Sequence, residues 1–212
     1  MKRNRLTRFT MVCTLLVMLL ALAGCGNSLS TGHSSDATGV SSQAVSDKAT
    51  GKKILVVYFS AEGHTKHIAE VIAEATGADT MMLEADPAYT KADLDYHDTN
   101  SRTSKELHDE SLRNIALKQA VPEHWSEYDT VFIGYPIWWG VAAWPVNTFI
   151  TSNSFQGKTV IPFCTSKSSP IGASDENLKD LADGGDWKPG IRFSPSASNQ
   201  EIYAWLIKAL SD

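Results

Sequence analysis

The chain is short of the features that would place it in several large protein classes. It has three cysteines in 212 residues, too few for a disulfide-built scaffold. Its 14 glycines and 8 prolines follow no repeat, which excludes a collagen-like rod. Basic charge is in deficit: 19 Lys and Arg stand against 24 Asp and Glu, a net charge of −5. Lys2, Arg3, Arg5 and Arg8 lie in the first 24 positions, which hold no acid, so the remainder is more acidic still. A surface of that sign argues against nonspecific nucleic-acid binding, which needs a basic face. No apolar run reaches the roughly 20 residues that a bilayer-spanning helix requires. The glycine motifs of P-loops and dinucleotide folds are missing, as are the Cys/His spacings of a zinc site. His64 and His67 stand one helical turn apart with no third ligand nearby, as at a solvated helix start. Asp175-Glu176 and Asp183-Gly184-Gly185-Asp186 read as caps and turns, since no full EF-hand spacing surrounds them.

What is present begins with an address. Basic residues through Arg8 precede the 13-residue apolar run Met11–Ala23, the n-region and h-region of a secretory signal. The run ends in Leu22-Ala23-Gly24-Cys25, which looks like a bacterial lipobox, cut before a cysteine that then carries lipid. Lipid chains contribute about 0.8 kcal/mol per buried methylene, enough for a stable anchor on the outer face of the cytoplasmic membrane or on an outer membrane. Residues 1–24 are therefore expected to be a signal peptide, with Cys25 as the lipidation site. Cys13 leaves with the signal, so Cys164 alone remains in the body and no internal disulfide is possible. From Gly26 to Gly51 the chain is rich in Ser, Thr, Gly and Ala, without aromatics or apolar periodicity. It reads as a flexible tether spanning about 28 Å on average. The folded body is expected over residues 52–212 as one domain.

Along that body strands and helices alternate. Ile54–Phe59 is a continuous apolar run suited to a central strand covered on both faces. A helix is expected over residues 65–76, with Ile68, Val71, Ile72 and Ala75 inward and Gly77 as its terminator. Residues 80–84 form a weaker second strand, and residues 86–100 are polar without a clear period. Thr103-Ser104-Lys105-Glu106 has capping-box spacing and predicts a helix start. The third strand is expected over residues 130–135, the fourth over 159–164 and a short fifth over 190–193. Helices are expected over residues 144–151 and 174–182, and from Ser198, with Ile202, Trp205, Leu206 and Leu210 inward. Pro162 cannot donate a ladder hydrogen bond, so the fourth strand is expected to be bulged or poorly paired there. This alternation predicts an α/β fold with a parallel sheet and helices on both faces.

Ligands of such sheets bind beyond the carboxyl ends of the strands, where strand order reverses. Three loops there are unusual. Ser60-Ala61-Glu62-Gly63-His64-Thr65-Lys66 runs from a buried strand straight into a helix, whose free N–H groups and dipole favour an anion. Ser60 and Thr65 add hydroxyls, and Lys66 adds a positive charge; a plain turn capped by Thr65 would look similar. Tyr135-Pro136-Ile137-Trp138-Trp139-Gly140 offers indoles to an aromatic ligand, although one of the two is expected to fill the core. Thr165-Ser166-Lys167-Ser168-Ser169-Pro170-Ile171-Gly172 is rich in hydroxyls and backbone donors, suited to the polar edge of a heterocycle. Cys164, preceded by Phe163 and with no adjacent His, is expected to be a buried structural thiol.

Together these loops resemble the flavodoxin family. Tyr58-Phe59-Ser60-Ala61-Glu62-Gly63-His64-Thr65 resembles its phosphate-binding loop, Gly134–Gly140 the loop beside the flavin ring, and Pro162–Ser166 the loop on the other side. A bacterial subgroup with a Trp-Trp pair is the nearest match, and Asn100–Ser104 also looks like it. Glu62 and His64 depart from the family's threonine and asparagine, and Glu62 should point outward or weaken phosphate binding. The resemblance implies a three-layer α/β/α sandwich with a five-stranded parallel sheet of order 2-1-3-4-5, binding FMN noncovalently. Ser60, Gly63, His64, Thr65 and Lys66 would hold the phosphate. Pro136, Ile137, Trp138, Trp139 and Gly140, with Thr165, Ser166, Lys167, Ser168 and Ser169, would flank the isoalloxazine. The acidic surface would lower the flavin potential. Electron transfer with redox protein partners outside the cytoplasmic membrane is the function this implies. The alternatives are an FMN-dependent NAD(P)H/quinone-type reductase acting on a small-molecule acceptor, and a cofactor-free binding module.

Overall fold

Ile54–Tyr58 (β1), an unbroken apolar run, is buried along its whole length between two parallel neighbours. The structure, a computed structural model, describes residues 39–211. The expected signal, Cys13, Cys25 and the first part of the tether lie outside the described residues. β1 pairs with Asp79–Met82 (β2) on one side and Thr130–Trp138 (β3) on the other. Thr159–Thr165 (β5) follows β3, and Asp186–Trp187 (β6) and Ile191–Phe193 (β7) both pair with β5. Val141–Ala142 (β4) folds back antiparallel on the end of β3. With that hairpin set aside and β6 and β7 counted as one interrupted strand, the order is the expected 2-1-3-4-5.

Alternation along β1 splits the core into two layers. Ile54, Val56 and Tyr58 face Ser42–Ala49 (α1), His64–Thr76 (α2) and Asn199–Ala209 (α6), meeting Val45, Ile68, Ile72, Ile202 and Leu206. Leu55 and Val57 face Pro145–Thr151 (α4) and Ser174–Leu181 (α5), meeting Phe149, Ile150 and Leu178. Arg102–His108 (α3) lies in the excursion between β2 and β3.

Four local expectations need correction. The tether does not extend to residue 51: α1 occupies residues 42–49, capped by Ser41, and buries Val45 and Ala49 against α2 and α6. Two apolar positions four residues apart leave little periodicity, and so short a helix is stable through docking rather than propensity. α3 is capped by Ser101, not Thr103, because the Thr103 hydroxyl donates to the Asp93 carbonyl (2.7 Å) while Ser101 Oγ accepts from the Ser104 N–H. The fifth strand is two pieces separated at Lys188-Pro189-Gly190. Pro162 leaves the ladder to β3 unbroken, in register with Ile133. On its other side, β6 ends opposite Val160 and β7 begins opposite Phe163. The Val160 carbonyl accepts from the Lys188 N–H on that side, so the missing proline donor falls in the gap between β6 and β7.

Candidate functional site

The carboxyl ends of β1, β3 and β5 open into one cavity of about 510 Å³. Each of the three singled-out loops supplies a wall.

The β1 wall is backbone. Gly63 has φ +91°, a conformation that favours glycine, and α2 starts at the next residue. Ser60 Oγ accepts from the N–H groups of Gly63 (3.1 Å) and Lys66 (3.2 Å), which fixes the curl of the loop around the helix N-terminus. Ser60, His64 and Thr65 line the cavity, and so does the exposed Glu62. Thr65 is buried, its Oγ1 2.8 Å from Thr165 Oγ1, tying this loop to the end of β5. Gly63 shapes the turn without lining the cavity. Lys66 does not line it either; its ammonium lies 3.7 Å from Glu70 on the exposed side of α2.

The β3 wall is aromatic. Trp139 (φ +46°) and Gly140 (φ +84°) form a two-residue turn between β3 and β4, and both positive φ angles match a type I′ hairpin. Holding an indole in that conformation costs about 1–3 kcal/mol and leaves Trp139 42% exposed, stacked on buried Trp144 at 5.6 Å. Trp138 packs inward, edge-to-face on Phe59 (5.5 Å), Tyr89 (5.4 Å) and Trp144 (5.2 Å). One indole thus supports the core and the other is presented at the mouth, as the sequence suggested. Pro136 and Ile137 line the cavity with both tryptophans, and Gly140 serves the turn alone. Gly134 lets the Phe163 ring pass, since a Cβ there would stand 2.2 Å from it.

The β5 wall is polar: Thr165, Ser166, Lys167, Ser168 and Ser169 all line the cavity. Cys164, one residue earlier, is fully buried, and burial pushes its thiol up to about 12. It is an unreactive core thiol.

A fourth wall escaped the sequence reading. Leu94, Tyr96 and Thr103, from the excursion between β2 and β3, also line the cavity. Tyr96 is 67% exposed and leans on His97, with ring centroids 4.1 Å apart. The excursion is held by buried Glu106, whose carboxylate accepts from Arg102 Nε (2.7 Å) and Tyr89 OH (2.9 Å). The Arg102 guanidinium lies 4.0 Å over the Tyr89 ring. Burial first, and then the Glu106 carboxylate, hold the Tyr89 hydroxyl far above the usual phenol range, so it remains a donor. Arg102, Thr103 and Glu106 are visible in sequence only as a helix start, and nothing local marks Tyr89 as the partner of the two charged ones. Among the described residues no group of three or more His, Cys, Asp and Glu could hold a metal ion, and no helix is long and apolar enough to cross a membrane.

Residues 53–209 match the family model described as Flavodoxin. Among solved structures, the chain is similar to a candidate flavoprotein from Bacteroides eggerthii at 42% identity and a TM-score of 0.68, covering 76% of this chain and 99% of that one. A candidate flavoprotein from Bacteroides uniformis gives 42% identity and 0.68, covering 74% and 98%. A flavoprotein from Lactobacillus acidophilus, solved in complex with FMN, shares the fold at 23% identity and 0.51, covering 66% and 93%. No curated protein matches the chain.

Proposed function

The chain belongs to the flavodoxin family, and from that premise we propose that it binds FMN noncovalently and transfers electrons outside the cytoplasmic membrane, tethered through lipid on Cys25. The observation that carries this reading is the convergence of three chemically different walls on one cavity. The β1 loop and the start of α2 suit a phosphate, through backbone N–H groups and the helix dipole. The Trp138-Trp139 hairpin suits the face of an aromatic ring system, and the β5 loop its polar edge. Ser60, His64 and Thr65 hold the phosphate end, on a turn that Gly63 shapes, with Lys66 adding only a distant charge. Bound FMN supplies one- or two-electron chemistry, and the protein sets where the ring lies and how its charge is compensated. Redox proteins are the partners this reading implies.

The exposed Tyr96 and the wall built by Leu94 and Thr103 support a second reading, an FMN-dependent reductase for planar acceptors such as quinones. One experiment separates the two. The full chain is mixed with FMN and desalted, its visible spectrum is recorded, and the reduced sample is offered a small quinone or a one-electron protein acceptor. Retained flavin bands with fast oxidation by the protein acceptor support the electron carrier, and fast oxidation by quinone alone supports the reductase. A folded chain that retains no flavin contradicts both.

A further inference from the structure

Three hydrogen bonds behind the β5 wall come from one cation on β7. Half-buried Arg192 donates from Nε to Ser166 Oγ (3.1 Å) and from Nη2 to the carbonyls of Ser166 (3.0 Å) and Lys167 (2.8 Å). The Ser166 hydroxyl donates in turn to the Ser169 carbonyl. No carboxylate lies within ion-pair distance of Arg192 among the described residues. A planar trans peptide keeps the C=O of one residue and the N–H of the next on opposite sides. With the Ser166 and Lys167 carbonyls turned to Arg192, the N–H groups of Lys167 and Ser168 point away from it. Neither N–H has a partner among the described residues. Residues 166–169 line the cavity, and Arg192 does not.

We infer that Arg192 is the positioning residue of the ring-binding loop, an inference that rests on the flavin-binding reading above. It presents two free peptide N–H groups, backed by a cation without a counter-ion, to the cavity. The ligand chemistry this suits is a planar heterocycle with carbonyl acceptors along one edge that gains negative charge on reduction. Fixed N–H dipoles and a guanidinium stabilise such charge without reorganising. An arginine fits the task because its planar guanidinium fixes Nε on the Ser166 hydroxyl and Nη2 on the two carbonyls in one rigid plane, an arrangement that a flexible ammonium does not fix. The local cation thus opposes the effect of the acidic surface on the potential.

The full chain and its Arg192→Gln and Arg192→Lys variants are titrated with FMN and with riboflavin, and the midpoint potential of each complex is measured. Arg192→Gln should weaken both ligands by a similar factor, at least about tenfold, and shift the potential negative. Arg192→Lys should return the potential towards wild type while affinity stays low, because an ammonium keeps the charge and loses the fork. A loss shared by both ligands marks the ring end, whereas damage at the phosphate loop would affect FMN alone. If Arg192→Gln does not fold, the split between potential and affinity in Arg192→Lys carries the test. Wild-type affinity and potential in the variants would overturn the inference, while a wild-type chain that takes up neither flavin would overturn the reading beneath it.

Discussion

The two ends of the cavity are built by opposite means. At the β1 end the walls are backbone and hydroxyl, on a single contiguous loop whose shape follows from Ser60, a left-handed Gly63 and the start of α2. At the ring end the walls are indoles and a polar loop, each supported from far along the chain: Trp138 on Phe59 and Tyr89, Tyr89 on Glu106, and the β5 loop on Arg192. An anion needs only N–H groups aimed at one point, and a short loop can supply them. A broad aromatic ring needs shaped surfaces held apart at a fixed spacing, and those come from packing between distant elements.

The largest break in that comparison is expected from Gly63→Asp. It sets a carboxylate at the phosphate end and should weaken FMN at least about 100-fold while leaving riboflavin within about threefold, read by calorimetry. Gly63→Asn, which tolerates the same left-handed backbone without the charge, should retain most of the affinity. At the other end, Glu106→Ala leaves Arg102 and the Tyr89 hydroxyl without their buried acceptor. It should destabilise the fold by about 3 kcal/mol in urea denaturation, and weaken riboflavin and FMN alike through Trp138. Equal loss of both flavins in the Gly63→Asp protein would erase the distinction between the ends.

Trp139→Asn sharpens the comparison with a smaller effect. Asn-Gly is a favoured type I′ turn, so relief of about 1 kcal/mol of backbone strain offsets the lost stacking on Trp144. Stability should stay within about 1 kcal/mol of wild type while riboflavin affinity falls about tenfold. A large stability loss would mean that Trp139 serves the fold rather than the site. The last effect appears only at alkaline pH. Burial raises the Cys164 thiol from 9.0 to about 12. Because the thiol ionises more easily in the unfolded chain, stability should be full below about pH 9 and fall towards pH 12. Cys164→Ala should remove the part of that fall that begins near pH 9, as followed by urea midpoints across pH.

The same contrast explains how far the sequence could be read. β1, α2 and the first loop are contiguous, and their apolar stripe, terminating Gly77 and hydroxyls announce them. The parallel sheet followed from alternation, and its strand order from the family resemblance. The hairpin at Trp139-Gly140 went unseen because a tryptophan at positive φ breaks the usual Asn-Gly signal. α1 went unseen because two buried positions make no pattern. Arg192 acts through partners 25 and 26 residues away and Tyr89 through Glu106 at 17 residues, and no spacing rule links them. Lys66 shows the converse failure, since its charge beside the loop was legible and its side chain turns along α2 to Glu70.

The central claim is that one cavity holds a phosphate at the β1 end and a flavin ring at the other. Side-by-side calorimetric titration of the full wild-type chain with FMN and riboflavin tests it most directly. The account predicts that both bind and that FMN binds at least about tenfold tighter, the difference being the phosphate held at the start of α2. Equal affinity for the two would contradict the assignment of the β1 loop, and absence of binding by a folded chain would contradict the site as a whole.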